Sequence, residues 1–464
     1  MDKNIRICIV GGGPAGLSAG MYLEQKGYEN YTILERLDRV GGKCWSPTYN
    51  GRRYEMGAIM GVPSYYAVHD VEKFCGVDHD GPKLNRNYKN AKGDVIDPFN
   101  PKKLSNLYKL PKLAKMKKQI KKLGELLETK YKGYDLNGHR GVSEGRYEGF
   151  SQQNEKREPV SGENPNLKDL ALPFNEFCKL NGVELIQNVW IGPFTSFGYG
   201  YFDEIPAAYV LKYLDFQTTM NFVKVNLWTW KDGTQSIWEA LNAHLKNPAR
   251  LNSHIEKVER KDGKVYVTVN GEVEEYDKII VTAPLYIPNK RADGQIGMVE
   301  YFDARQDEKE LFSKIDYERY DVLAVETKPA DHPEISYYVM ENMVPERLGR
   351  LMVYYRRWKD TKDQVITTYA LRKHKNKKEI DYETCKKMVL NDLKTMHNPA
   401  SKVVNEWSVY YFPHVFSQDY ADGWYEKVEA MQGKYDTYYA GEIMSFGDMD
   451  ETAEYSRELV ERFF

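Results

Sequence analysis

Gly11, Gly13 and Gly16 stand at the spacing G-x-G-x-x-G, and Glu35 follows about twenty residues further on. Glycine at these positions permits a tight turn, lets the backbone approach a pyrophosphate and seats a helix against a sheet. A carboxylate at Glu35 can accept both hydroxyls of a ribose. The glycines alone are a weak signal, and their pairing with Glu35 turns it into a dinucleotide site. Val40-Gly41-Gly42-Lys43 adds a second turn of close backbone approach, with a cation to match phosphate charge. No second glycine fingerprint follows a strand elsewhere, which argues against a nicotinamide domain and against NAD(P) as a partner.

The elements that must hold these residues are legible nearby. Ile5 to Val10 is an apolar, β-branched run that predicts a strand, Leu17 to Gln25 predicts a helix that Gly27 stops, and Tyr31 to Leu34 predicts a second strand. Much later, Lys264 to Val269 alternates, Asn270-Gly271 signals a hairpin turn, and Lys278 to Thr282 predicts a buried strand. Pro101 to Gly124 carries nine lysines and no acid, and Leu113, Met116, Ile120, Leu123 and Leu127 recur at helical spacing, so a basic amphipathic helix is expected over 111–127. Its lysines read as a solvated face, with transient contact to a membrane surface as the alternative. His139 to Asn166 reads as an exposed loop with no assigned role. Ala304 to Tyr420 mixes charged helical stretches with strands such as Leu351 to Tyr355 and Val365 to Tyr369.

Composition bounds the rest. A chain of 464 residues exceeds what one core usually absorbs, so two domains are expected. Lys and Arg number 66 against 68 Asp and Glu, which gives no reason to expect nucleic acid as a partner. The five cysteines are spread without a CxxC pair, so neither a disulfide framework nor a thiolate metal site is expected, and a reducing, cytoplasmic location fits. The N-terminus shows no signal-peptide pattern, and no run approaches a membrane span. The 36 tyrosines suggest a lining that is apolar in body and polar at the tip.

The glycine fingerprint, Glu35, Arg39-x-Gly41-Gly42-Lys43 and the distant Tyr439-Ala440-Gly441-Glu442 resemble the FAD domain of the flavin amine oxidase superfamily. The resemblance implies an α/β fold in which an FAD-binding Rossmann-like domain is interrupted by an α+β substrate domain with a helical cap. The FAD domain is expected over 1–85, 226–290 and 420–464, and the substrate domain over 86–225 and 291–419. Gly441 and Glu442 would meet the flavin ribityl and phosphates. Lys43 stands where the family more often has arginine, keeping the charge but losing the bidentate fork. The last cysteine is Cys385, away from the C-terminal position used for covalent attachment in some members, so the FAD is expected to be non-covalent.

A narrower resemblance covers nearly the whole chain apart from the polar loop. Cys44-Trp45-Ser46-Pro47, Gly51 to Gly61, Asp80-Gly81-Pro82-Lys83-Leu84, Phe197-Gly198-Tyr199-Gly200, Ala207 to Phe216, Leu227-Trp228-Thr229-Trp230, Tyr410 to His414 and Gly441 to Gly447 are similar to the bacterial FAD-dependent polyunsaturated fatty acid isomerases that form conjugated linoleate. That family implies a free polyunsaturated fatty acid as substrate. In it the flavin N5 takes a hydride from the methylene between two double bonds and returns it two carbons along, with no side chain acting as catalyst. A dry, aromatic site would protect the intermediate cation. The resemblance makes Arg86 the carboxylate clamp, Phe222 a lid beside it and Phe197 a tunnel residue near the reacting carbons. It passes Gly57, Ala58, Ile59 and Met60 along the flavin ring, and adds Ala15, Val258 and Met444 to the cofactor contacts already given. No metal is implied.

Read without the family, Arg86 is a solvated loop arginine, Phe197 and Phe222 are core residues, and Cys44 and His414 are structural. Two other functions share the same cofactor domain: a net oxidase or desaturase of an amine or lipid, and a non-catalytic flavin-containing lipid carrier.

Overall fold

The computed structural model describes residues 2–98, 110–131, 165–288, 296–327, 335–358 and 365–464. The polar loop expected over 139–166 lies almost wholly outside them, as does the start of the lysine-rich segment.

The chain enters a strand at Ile7–Val10, turns through the glycines, and forms a helix over Pro14–Gln25 whose first residue is the proline that suits a helix start. Ile7–Val10 is the centre of a four-stranded parallel sheet. Tyr31–Leu34 flanks it on one side, Lys278–Val281 on the other, and Thr437–Tyr439 lies beyond, in the register Ile7↔Tyr31, Ile7↔Lys278 and Ile279↔Thr437. Ile7–Val10 is apolar at every position because both faces of this sheet are covered. Helix Pro14–Gln25 packs on it and against the last helix, Met449–Phe463. The meander Ile255–Lys261, Lys264–Val269, Glu272–Tyr276 leads directly into the strand at Lys278.

A second sheet has seven strands in the order Ala400–His414, Asp316–Thr327, Val365–Leu371, Val353–Arg356, Ile335–Tyr338, Arg86–Lys89, Val95–Ile96. Its pairs are antiparallel except Ile335–Tyr338 with Arg86–Lys89. The two longest strands slip register between Asp316 and Glu318 and again near Ala324, which twists the sheet around the space beside it. A helical layer covers this sheet: Phe174–Asn181, Gln187–Thr195, Ala207–Tyr213 and Phe216–Lys224. Phe194 fixes the layers together, with its ring 6.2 Å from Phe412 and 6.3 Å from Phe446. The basic helix runs over Leu110–Glu128 and buries Leu123 and Gln119 while Lys121 stays exposed. One hydrophobic core runs through both sheets, joining Ile7 and Ile280 to Val322 and Val353. Among the described residues no helix is long and apolar enough to cross a membrane.

Candidate active site

The carboxyl ends of the parallel strands open into a cavity of about 600 Å³ that continues under the larger sheet. Its dinucleotide end is built from close backbone approaches. A Cβ at Gly16 would lie 1.9 Å from the Gly11 carbonyl oxygen, so only glycine lets the helix begin there. Gly13 sits at the helix N-cap without a side-chain cap, and Gly13, Pro14 and Ala15 line the cavity, giving it the positive end of the helix dipole. Glu35 is buried, and its two oxygens accept from the Gly12 amide at 2.6 Å and the Leu37 amide at 2.8 Å. These bonds fix the carboxylate at the cavity wall. The Gly41 amide donates to the Gly12 carbonyl at 2.9 Å, so the two glycine turns stand back to back.

Lys43 does not reach into the cavity alone: it pairs with Glu442, and its ammonium lies 5.1 Å from the centre of the Tyr411 ring. Gly441 has φ of +89°, and a Cβ there would lie 2.6 Å from the Thr282 carbonyl oxygen. Gly57 is equally closed, since its Cβ would fall 1.7 Å from the Lys43 carbonyl oxygen. Gly42, Lys43, Gly57, Ala58, Ile59 and Met60 line the cavity, as do Phe197, Gly441 and Glu442. The cradle leaves no room for side chains, offers amides and a dipole at one end and presents a fixed carboxylate beside them, which fits a dinucleotide.

Five of the residues singled out in the sequence stand behind the lining. Gly16 acts through its contact with Gly11. Val258 is fully buried, and its amide donates at 2.8 Å to the carbonyl of Tyr301, which does line the cavity. Met444 is buried and donates to the Gly441 carbonyl at 3.1 Å. Phe222 is buried with its ring 6.2 Å from Phe197. Arg86 is half-buried at the start of its strand, its guanidinium 5.8 Å from the Tyr88 ring. Rings then run from Tyr88 to Tyr338 at 5.9 Å and from Tyr338 to Phe197 at 6.3 Å, linking Arg86 to the cavity.

The wall under the large sheet comes from tyrosines, of which Tyr411 lies in the Tyr410 to His414 motif while Tyr320 and Tyr369 lie in none. Tyr411, Tyr320 and Tyr369 form a column, with Tyr320 stacked at 5.6 Å on each neighbour. The Tyr320 hydroxyl donates to the Ser196 carbonyl at 2.6 Å, Tyr411 to Gly447 at 3.0 Å and Tyr317 to Tyr286 at 2.7 Å. Each hydroxyl tied to backbone leaves its ring as part of the cavity wall. Burial pushes the pKa of Tyr199, Tyr320, Tyr369 and Tyr411 well above the ordinary phenol value, so all stay neutral. Cys44 also lines the cavity, and burial likewise raises its thiol pKa and keeps it protonated. His414 is fully buried, donates from Nδ1 to the Phe412 carbonyl at 2.9 Å, and lies outside the lining.

The family model for flavin containing amine oxidoreductases matches residues 14–446. The chain belongs to that family. A flavin is therefore the cofactor of this amine-oxidase-type fold. Within the family, the chain is 48% identical to the crystal structure of a CLA-producing fatty acid isomerase from P. acnes, with a TM-score of 0.87 and 100% of both chains covered. Putrescine oxidase bound to putrescine is 14% identical with a TM-score of 0.66, covering 99% of this chain and 98% of that one, and shares the fold alone. The polyenoic fatty acid isomerase of Ptilota filicina is 36% identical over 76 residues, which is 16% of this chain and 15% of that protein. A phytoene desaturase (neurosporene-forming) of Rhodobacter capsulatus is 40% identical over 85 residues, 17% of this chain and 16% of the desaturase. The chain thus spans under a fifth of the length of these two curated relatives.

Proposed function

We propose that the protein is an FAD-dependent isomerase that moves a double bond of a free polyunsaturated fatty acid, of the linoleic type, to give a conjugated diene. The observation that carries this reading is the 48% identity over the full length of both chains with an isomerase named for that product. The site chemistry supports it. Bound FAD supplies a centre that can accept two electrons and return them, which suits a rearrangement without net oxidation. The protein then has to bind, orient and keep dry. The stacked phenols supply negative ring faces that favour a delocalised cation and offer no ionised oxygen to trap it. A fatty acid buried along such a wall gains roughly 0.8 kcal/mol per methylene but little positional preference, so its register needs a polar anchor. Arg86 serves as that anchor, with Phe222 beside Phe197 along the path. Lys43 with Glu442, Glu35 and the glycine turns hold the FAD without a covalent bond, since the last cysteine, Cys385, lies away from the C-terminal position used for covalent attachment in some members.

The five cysteines carry free thiols, which supports a cytoplasmic location. The lysine-bearing helix Leu110–Glu128 supports transient contact with an anionic membrane surface. Vesicle co-sedimentation that persists unchanged after neutralising Lys115, Lys118 and Lys122 would remove that contact.

Anaerobic incubation of the flavin-loaded protein with linoleic acid tests the function. The expected product absorbs in the ultraviolet as a conjugated diene, forms over many turnovers, and retains deuterium placed at the doubly allylic carbon. A single turnover that needs oxygen to continue would mean an oxidase, and recovery of unchanged acid would mean a carrier.

A further inference from the structure

Two segments with long motifs, Asp80 to Leu84 and Leu227 to Trp230, take no part in the cavity lining. Trp228 and Trp230 of the second pack against helix Tyr66–Cys75 and the turn after it, where a cluster of a different kind lies. His69 and Glu72 lie one turn apart on that helix, on one face. Gly76 ends the helix in the left-handed conformation, and the chain folds back to set His79 over Glu72. His69 Nδ1 lies 2.8 Å from Glu72 Oε2, and His79 Nδ1 lies 3.2 Å from Glu72 Oε1. One ligand atom from each residue falls within 4.8 Å of the others.

We propose that His69, Glu72 and His79 form a binding site for a divalent cation of the zinc class. Two imidazole nitrogens and one carboxylate oxygen suit that borderline ion, whereas magnesium and calcium take oxygen sets. Zinc bonds of about 2.0–2.2 Å place tetrahedral ligand atoms about 3.4 Å apart, so the set needs only small side-chain adjustment. The half-exposed His79 ring, at 39% exposure, is free to make it, and its exposure leaves the fourth position to water. Coordination asks each neutral ring to carry its proton on Nε2 so that Nδ1 turns its lone pair to the ion, and no net proton is lost.

The surroundings hold these ligands in place. Trp230 Nε1 donates to Glu72 Oε1 at 2.7 Å, the kind of outer hydrogen bond that orients a ligating carboxylate. The Trp228 indole stacks on His79 at 4.1 Å and 17°. Trp228 is itself fixed by reciprocal backbone bonds with Gly61, both at 3.0 Å, and a Cβ at Gly61 would lie 2.6 Å from its Nε1. The ion would staple residues 77–84, which lead into the strand of Arg86, to the helix and to the segment beside Met60.

The test uses the flavin-loaded protein, freed of metal by a chelator and titrated with zinc chloride in a calorimeter. One zinc per chain is expected, together with a zinc-dependent rise in melting temperature read by flavin fluorescence. His69→Ala and His79→Ala are each expected to weaken binding at least tenfold and to abolish the rise, while His244→Ala changes neither. Should His69→Ala lose its flavin, the more exposed His79→Ala decides alone. Absence of uptake by the wild-type protein, or equal affinity in His79→Ala, would overturn the site and leave the trio as an ionic clamp only.

Discussion

Replacing Arg357 with methionine tests how the turn Gly57–Met60 is held. Arg357 and Glu55 are both buried, at 2% and 0% side-chain exposure, with Arg357 Nη1 donating to Glu55 Oε1 at 2.9 Å. Arg357 also donates to the carbonyl of Trp230. Glu55 keeps Ser46 Oγ at 2.5 Å and the Thr234 amide at 2.9 Å as further donors. Methionine fills much of the arginine's volume, so the main loss is of charge and hydrogen bonds. Removing one partner of a buried pair costs about 3–5 kcal/mol because the other charge is left uncompensated. An unfolding entropy near 2.1 cal/mol/K per residue gives roughly 1 kcal/mol per kelvin for a chain of this size, so the melting temperature should fall by about 3–5 °C. Thermal denaturation followed by circular dichroism and by flavin release, at fixed flavin concentration, reads this shift. Removing the carboxylate charge as well, in Glu55→Gln with Arg357→Met, should recover part of the loss. A melting temperature within a degree of wild type for the single variant would refute the reasoning, as would a double variant that loses the full sum of the two singles.

Gly441→Ala forces a Cβ against the Thr282 carbonyl at φ of +89°, a strain of about 1–3 kcal/mol, and should weaken flavin retention tenfold or more in equilibrium dialysis. Arg86→Ala should cost about 1.5–3 kcal/mol of fatty acid binding, seen as a raised KM, or blur the position of the new double bond in gas chromatography; unchanged affinity together with unchanged regiochemistry would remove the clamp. His414 is held neutral by burial, its pKa lowered from 6.5 to about 4. The unfolded chain binds that proton more readily, so the stability from this site is complete above pH 6.5 and drains as pH falls towards 4, by at most about 1.4 kcal/mol per pH unit. His414→Phe should flatten that acid limb in denaturant titrations, and an unaltered limb would clear His414 of the role.

Local chemistry was the legible part of this chain. The strands Tyr31–Leu34 and Lys264–Val269 have the bounds that their residues suggest, because an apolar run and an alternating run each declare themselves within a few positions. The strand expected from Leu351 begins at Val353, since Leu351 and Met352 belong to the approach to it. Nothing local marks Asp316–Thr327 as the spine of the large sheet. Its residues from Tyr317 to Val325 are buried on both faces, so the period-two signal is erased, and its charges find partners far away, as Asp321 does in Arg372. The tyrosine wall is only partly legible: Tyr411 falls in the Tyr410 to His414 motif, but nothing local joins it to Tyr320 and Tyr369. Tyr320, Tyr369 and Tyr411 meet only through the pairings Tyr320↔Leu371 and Glu318↔Tyr411, which bring together strands separated by dozens of residues. No spacing rule marks His69, Glu72 and His79, because a helix end at Gly76 separates His79 from the other two.

The ion pair of Lys43 with Glu442 joins residues 399 apart in the chain. Closing a loop of that length costs roughly 5 kcal/mol of chain entropy, which local turns near the N-terminus cannot recover by themselves. While the chain is still emerging from the ribosome, the phosphate turn therefore has no partner wall, and the vitamin-derived cofactor has nothing to settle into. In the proposed site that wall is complete only once Glu442 has been translated, so stalled or truncated products are expected to be pale.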